Sequence, residues 1–500
     1  MPRPWKVHGD GRNPARGEVV APDERLSWPR TAGLGAQHVV AMFGATFVFP
    51  LLMGLDPNLA VMMSGIATVL FLLIVEGKVP SYLGTSASFV GGVVAIRAAG
   101  GGDAVVTGAI LVAGALLALA GLAIHSLGTQ VVHKLLPPPV TGAVVMLIGF
   151  GLAFVVAQVY WPQDHWVALV TMVFVFVAMV SFRGFIGRVS ILLGLVFGFA
   201  LSWVLDRFGQ VSAVLPGANL RDAAGQPCTV EGPYCIATAF DHYRVSFAGV
   251  AQAPWFGLPH MYAPELKTSA VLLVLPAVIA LIAENTGHVK AVGEMTGRDL
   301  DPMIGRAIFA DGVGTMVASS VGGSPTTTYA ENIGVMAATR VYSTAAYYVA
   351  ALIAILFGLC PKFGALVAAV PGGVLGGVTA ILYGMIGLLG AKIWVEGKVN
   401  FADPVNMVPI GAGIILAIGP VAHPIGGDFT LEGIALGTIV VLAGYHLLRA
   451  ISTRVSGPEV AGGEIALERR VAGAAASADA EESPARDLSR RGAFGTGDGR

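Results

Sequence analysis

The 500 residues are 55% hydrophobic and only 12% charged, with a mean hydropathy of +0.74; a soluble globular protein carries about twice that charged fraction. The formal net charge of −1 gives no basis for a nucleic-acid partner, and the charges that matter are those flanking apolar spans. The composition is that of an all-α polytopic membrane protein.

The first thirty residues are polar and basic and run into an apolar segment with no small-residue cleavage site, so the first span is expected to be its own targeting signal. Apolar runs of span length follow at 33–53, 58–77, 82–97, 105–126, 139–158, 166–182 and 189–206. After a polar interval they resume at 269–288, 305–321, 324–340, 344–360, 364–388, 405–420 and 431–449. A cytoplasmic N-terminus puts Lys78, Lys134, Arg183, Arg188, Lys290, Arg298, Arg306, Arg340, Lys392 and Lys398 inside, leaving Arg97 and Lys362 on short outside connections. Both termini are then cytoplasmic, and seven segments being odd, the second half enters from the opposite side. That is the inverted repeat of many secondary transporters.

The third segment of each half supports the repeat. VPSYLGTSASFVGG, from Val79 to Gly92, and VGGSPTTTYAENIGV, from Val321 to Val335, are both hydroxyl-rich and interrupted by Gly or Pro. Each suits a broken span with an extended first half and a helical second half, and two breaks in corresponding positions point to a binding site near the midplane. The 208–268 interval, rich in Pro and Gly, is an external loop in which Cys228 and Cys235 form a disulfide or remain thiols. Residues 451–500 are charged and small and read as a disordered cytoplasmic tail.

Ionisable residues at membrane depth are costly and usually functional. Glu284 and His288, four apart in LIAENTGHVKAV, share one helix face and suit proton handling; the alternative is a buried Glu held by His between two helices. Glu331 with Asn332 opens the helical half of segment ten, where exposed N–H groups favour an acceptor. It either meets a ligand or caps its helix. Gln37 and His38 line the cavity or support the broken helices, Asp311 leans structural, and Tyr383 borders a cavity or packs between helices. Two carboxylates, an imidazole and two exposed helix starts suit a small, neutral, planar molecule with N–H donors and C=O acceptors, and would repel an inorganic anion. No Walker loop, nucleophile constellation or Cys/His metal spacing is found, so neither an enzyme, an ATP-driven pump nor a metal site is expected.

The same residues resemble the nucleobase/ascorbate transporter family. Glu331-Asn332-Ile333-Gly334 followed by Thr339-Arg340 fits that family's signature, as Gln37-His38 fits its first-span pair. The stretches QHVVAMFGATFVFP, VPSYLG, AENTGHVKAVGEMTGRDLDP and TTTYAENIGVMAATRVYS are similar to the bacterial uracil permeases. DPNLAVMMSGIATVLF and PKFGALV further resemble the pyrimidine-utilisation permeases of that branch, and the resemblance spans residues 33 to 450.

The resemblance implies a core domain from segments 1–4 and 8–11 and a gate domain from segments 5–7 and 12–14. In residues this gives a cytoplasmic N-terminal tail (1–32), core parts at 33–128 and 269–362, and gate parts at 129–207 and 363–450. It implies a homodimer in the inner cell membrane, surrounded by lipid, that imports uracil or a close pyrimidine with H⁺, or alternatively Na⁺, and uses no cofactor. Glu284 and Glu331 match the substrate-binding glutamates, His288 the proton-linked histidine, Ala45 and Tyr383 the cavity wall, and Tyr329-Ala330 the strand flanking the ligand. Ala87 stands where these permeases have Phe, so the aromatic platform is missing or moved to Phe89, and Ala330 replaces a Gly. Both departures leave thymine or xanthine as alternative substrates; a channel or an anion transporter on the same architecture is the third reading.

Overall fold

The computed structural model describes residues 5–455 except positions 13, 15–17, 129–133, 184–185, 188, 216–217, 223, 229–234, 420 and 427–428. The first half contains α1 (Trp28–Met53), α2 (Pro57–Ile74), a strand β1 (Leu83–Thr85) leading into α3 (Val90–Ala98), α4 (Asp103–Leu127), α5 (Pro138–Gly151), α6 (His165–Ser181) and α7 (Ser190–Leu205). The second contains α8 (Thr268–Thr296), α9 (Ile304–Ser319), a strand β2 (Thr326–Thr328) leading into α10 (Ala330–Thr339), α11 (Thr344–Gly358), α12 (Pro361–Ala368), α13 (Gly372–Glu396), α14 (Pro404–Ile418) and α15 (Gly433–Val455). Thirteen of the fourteen apolar intervals centre on one helix or one strand–helix pair; the interval 364–388 covers the end of α12 and most of α13.

Among the described residues seven helices are long and apolar enough to cross a membrane: α1, α2, α4, α5 with its extension to Gln163, α8, α13 and α15. The others are shorter. Helices such as α9 and α14, of 16 and 15 residues, reach only about 24 Å against a hydrocarbon thickness of about 30 Å. The protein is a multi-pass membrane protein.

Helix packing repeats between the halves. α2 packs on α11 as α9 packs on α4, and α1 on α11 as α8 on α4. Elsewhere α6 packs on α7 as α14 on α15, and α6 on α13 as α14 on α5. Close approach is bought with glycine: a Cβ at Gly121 or Gly312 would run into the backbone of Phe309 or Ala118.

The two broken segments meet head to head. β1 and β2 pair antiparallel, Leu83 opposite Thr328, Gly84 opposite Thr327 and Thr85 opposite Thr326. A two-stranded sheet in an apolar interior leaves outer edges that must be hydrogen-bonded internally, and each half supplies the same device. Thr68 of α2 accepts from Leu83 N at 2.9 Å and lies 3.4 Å from Leu83 O. Thr315 of α9 accepts from Thr326 N at 3.1 Å and donates to Thr326 O at 3.0 Å.

Three sequence expectations are corrected, and one left open is resolved. The twelfth segment begins at Gly372 rather than 364, because α12 bends 81° away from α11 and Pro371 separates it from α13. Residues before 33 are not all tail, since α1 starts at Trp28, with Pro29 where its missing N–H costs nothing. The preceding segment is bonded across the bundle end: Val20 N donates to Arg340 O, Tyr342 N to Val20 O, and Trp5 Nε1 to Thr344 Oγ1 at 2.8 Å. The tail boundary moves too, because α15 continues to Val455; residues 456–500 lie outside the described residues. The two cysteine states open in the sequence resolve to a Cys228–Cys235 disulfide, while Cys360 is a free thiol at the end of α11.

At the far end of the bundle the long loop is pinned by one arginine. Arg244 reaches Asp164, the N-cap of α6, at 2.7 Å and Asp206, at the end of α7, at 3.2 Å, all three side chains being 14% exposed or less. Removing the cation strands two nearly buried carboxylates, which costs on the order of 3 kcal/mol. Arg244→Met is therefore expected to lower the thermal unfolding midpoint in detergent; an unchanged midpoint shows the network to be energetically idle. At the opposite end, Glu76 pairs with Lys78 and Arg306. Hydrogen bonds from Lys78 and Arg306 pull its carboxyl down to about 2.

Candidate substrate site

The strand crossing places the first turn of α10 beside the middle of α8. Glu331 lies in the first turn of α10, half-buried, folded over its own backbone N–H. Glu284 is half-buried on α8 and, like Glu331, has no hydrogen bond or ion pair to another side chain among the described residues. The groups close enough to act electrostatically on Glu284 are Asp311 and Glu331. Two carboxylates without cationic partners are therefore held near one another in an apolar bundle.

The faces of α10 and α8 that flank them are open, and the space between those faces is called the cleft. Ala330, Ala337 and Ala338 on α10 are exposed and Gly334 half-exposed. On α8 Gly287, Lys290 and Glu294 are exposed and Ala291 half-exposed. These two open faces, small on α10 and mixed small and charged on α8, run from the carboxylates toward the bundle end where the N-terminal segment lies. Two cavities, of about 490 Å³ beside Arg244 and about 400 Å³ among Phe43, Phe199 and Phe363, lie away from it. The unpartnered carboxylates, not cavity size, mark the site.

His288 stands one turn beyond Glu284 on the same face, but no hydrogen bond or ion pair joins the two. Its Nδ1 instead contacts Thr328 Oγ1 at 2.8 Å. Thr328 donates to Asn285 Oδ1 at 3.0 Å, and Asn285 Nδ2 donates to Asp311 Oδ2 at 2.6 Å and to Leu281 O at 3.0 Å. The structural leaning for Asp311 agrees with its complete burial on α9.

His38 and Asn332 are brought together, away from the cleft. Both are buried, and Asn332 Nδ2 donates to His38 O at 2.9 Å and lies 3.2 Å from His38 Nδ1. They tie α1 to α10, which is the supporting alternative; Gln37 is half-buried next to them.

Several wall positions read differently in the fold. Ala330 is exposed, and Ala87 is half-exposed with Ser88. Phe89 is 1% exposed, so the aromatic platform has not moved there. The hydroxyl of Tyr329 donates to Thr85 O at 2.7 Å and accepts from Thr46 at 3.2 Å, committing the ring to the strand crossing. Ala45 and Tyr383 are buried, and the Tyr383 hydroxyl has no partner. Sequence reasoning passed over Asn285 and Thr328. The polar run AENTGH and the triple threonine were visible, but which hydroxyl faces which helix depends on the pairing register.

A model of the permease family matches residues 30–426. RutG of Escherichia coli (strain K12), which carries the name of a pyrimidine permease, is 43% identical over 453 residues, 88% of this chain and 95% of that one. The uracil permease of Bacillus caldolyticus is 35% identical over 423 residues, 81% of this chain and 89% of its own. Among solved structures, the murine anion transporter Slc26a9 in its inward-facing state covers 85% of this chain and 69% of its own, with a TM-score of 0.58 at 12% identity. The transmembrane domain of the cyanobacterial bicarbonate transporter BicA covers 83% and 96%, with a TM-score of 0.50 at 13% identity. Those two share the inverted-repeat fold alone, whereas the family match and the permease relatives cover most of both chains: the protein belongs to the nucleobase/ascorbate transporter family, in the branch of the bacterial uracil and pyrimidine permeases.

Proposed function

We propose that the protein imports uracil or a close pyrimidine base across the inner membrane, coupled to H⁺, by alternating access. The observation that carries this reading is the pair Glu284 and Glu331, two acceptors without protein partners facing one cleft beside the strand crossing. A neutral pyrimidine presents ring N–H groups to such acceptors, and the unsatisfied acceptors gain charge-assisted bonds when it binds. The permease relatives support the same substrate class. An inorganic anion meets two carboxylates instead of a cation, so the fold shared with anion transporters does not carry over to substrate.

In this proposal fourteen segments span the membrane, with both termini cytoplasmic. α1–α4 and α8–α11 form a core carrying the site, and α5–α7 and α13–α15 form a gate against which it moves; the separate packing of the two sets supports that division. The chain works as a homodimer and uses no cofactor.

The test is uptake of labelled uracil into proteoliposomes under an imposed inward H⁺ gradient, with thymine, xanthine and cytosine as competitors. Accumulation that collapses with the gradient and is blocked best by uracil or thymine is the expected result. Accumulation that follows Na⁺ and ignores H⁺ overturns the coupling, and xanthine displacing uracil at much lower concentration overturns the substrate. The xanthine arm matters because Ala87 and the buried Phe89 leave no aromatic side chain at that wall.

A further inference from the structure

The polar chain behind His288 has only one consistent arrangement of hydrogens. Asn285 Nδ2 lies 3.0 Å from Leu281 O and 2.6 Å from Asp311 Oδ2. A main-chain carbonyl can only accept, so the amide must turn its NH₂ toward it, which leaves Oδ1 facing Thr328 at 3.0 Å. An amide oxygen also only accepts. Thr328 must therefore spend its single hydroxyl hydrogen on Asn285. Toward His288 Nδ1, 2.8 Å away, that hydroxyl then has only a lone pair to offer, so the ring must carry its hydrogen on Nδ1. The argument holds whether Asp311 is ionised or protonated, because Leu281 O alone fixes the amide.

We infer that Asn285 and Thr328 are positioning residues that hold His288 as the Nδ1–H tautomer, so that Nε2 is the lone-pair atom presented to the cleft. The side-chain hydrogen bond of His288 among the described residues is the one at Nδ1, to Thr328. A proton arriving from the cleft forms a bond at Nε2 and leaves Nδ1–H on Thr328 undisturbed; its departure restores the same tautomer. The ring thus gains and loses the proton at one atom without flipping. The titratable groups on the surrounding elements are Glu284 and Lys290 on α8, Asp311 on α9 and Glu331 on α10. The coupling role rests on the proposed proton-driven function, whereas the tautomer assignment rests on the hydrogen bonds alone.

The test uses the full chain, ¹⁵N-labelled at histidine, in lipid nanodiscs at pH 8.5, with the His288 signals identified as those lost in His288→Asn. The expected spectrum has a protonated Nδ1 and an unprotonated Nε2. An Nε2–H ring, or one protonated at both nitrogens, overturns the assignment. Thr328→Val, nearly isosteric, should abolish the tautomer preference and Thr328→Ser should keep it; a spectrum unchanged in the first or lost in the second also overturns it.

In proteoliposomes Thr328→Val should lower H⁺-driven accumulation about 10- to 100-fold, less than the roughly 10²–10⁴-fold contributed by a proton-transfer group itself. Uracil counterflow at equal pH should change far less, and Thr328→Ser should restore accumulation. Equal loss in both assays overturns the coupling role. Should wild type show no H⁺-driven accumulation at all, the functional proposal fails while the tautomer result stands.

Discussion

Glu284→Gln is expected to abolish H⁺-driven accumulation, and Glu331→Ala is expected to weaken uracil binding about 10- to 150-fold. The two carboxylates sit in similar surroundings but differ in what stands beside them. Glu284 shares a helix face with His288, whose Nδ1 is engaged by Thr328. Glutamine there keeps an acceptor oxygen and removes the titratable group. Counterflow should therefore survive at reduced affinity while accumulation against a gradient is lost. Glu331 stands at the start of α10 with no titratable partner bonded to it. Its truncation removes a charge-assisted hydrogen bond worth about 1.5–3 kcal/mol, which is about 10- to 150-fold in Kd. The measurement is uracil binding and both modes of transport for each variant, alongside Glu331→Gln, which should fall between. Retained accumulation in Glu284→Gln would place coupling elsewhere.

How legible the site was in the sequence follows from which interactions are local. Glu284 and His288 share a face because helix geometry fixes i and i+4, and the carboxylates stand out because charge is rare in an apolar chain. The strand-and-helix character of the two broken segments was readable from Gly, Pro and hydroxyl density. What was not readable is everything set by the register between β1 and β2. Leu83 stands opposite Thr328, and that pairing aims Thr328 at His288 and Asn285 rather than into the cleft. The same crossing engages the Tyr329 hydroxyl with Thr85 and Thr46. His38 and Asn332 are nearly three hundred positions apart, so their bond across α1 and α10 had no local signal. The bend at α12 was missed because Gly and Pro there interrupt an otherwise continuous apolar run.

The crossing itself should be the least tolerant point of the fold. Gly84 lies opposite Thr327, and a Cβ there would run into the Tyr329 ring and stand 2.6 Å from Thr46 Oγ1. The ring cannot retreat without giving up its bonds. Its hydroxyl is held by Thr85 O and Thr46, and its N–H donates to Tyr82 O at 3.0 Å. Gly84→Val therefore combines overpacking, about 1–3 kcal/mol, with at least one buried polar group left unpaired, about 1–3 kcal/mol more. Tyr329→Phe keeps the packing and loses only the hydroxyl bonds, so it should cost less. Gly249→Ala, where a Cβ meets nothing within 4 Å, should be neutral. Thermal unfolding in detergent should rank the three in that order. Uracil binding should be lost in Gly84→Val even at temperatures where the protein remains folded, because the strands that set Glu331 against Glu284 are forced apart. Wild-type binding and stability in Gly84→Val would mean that the site does not depend on this contact.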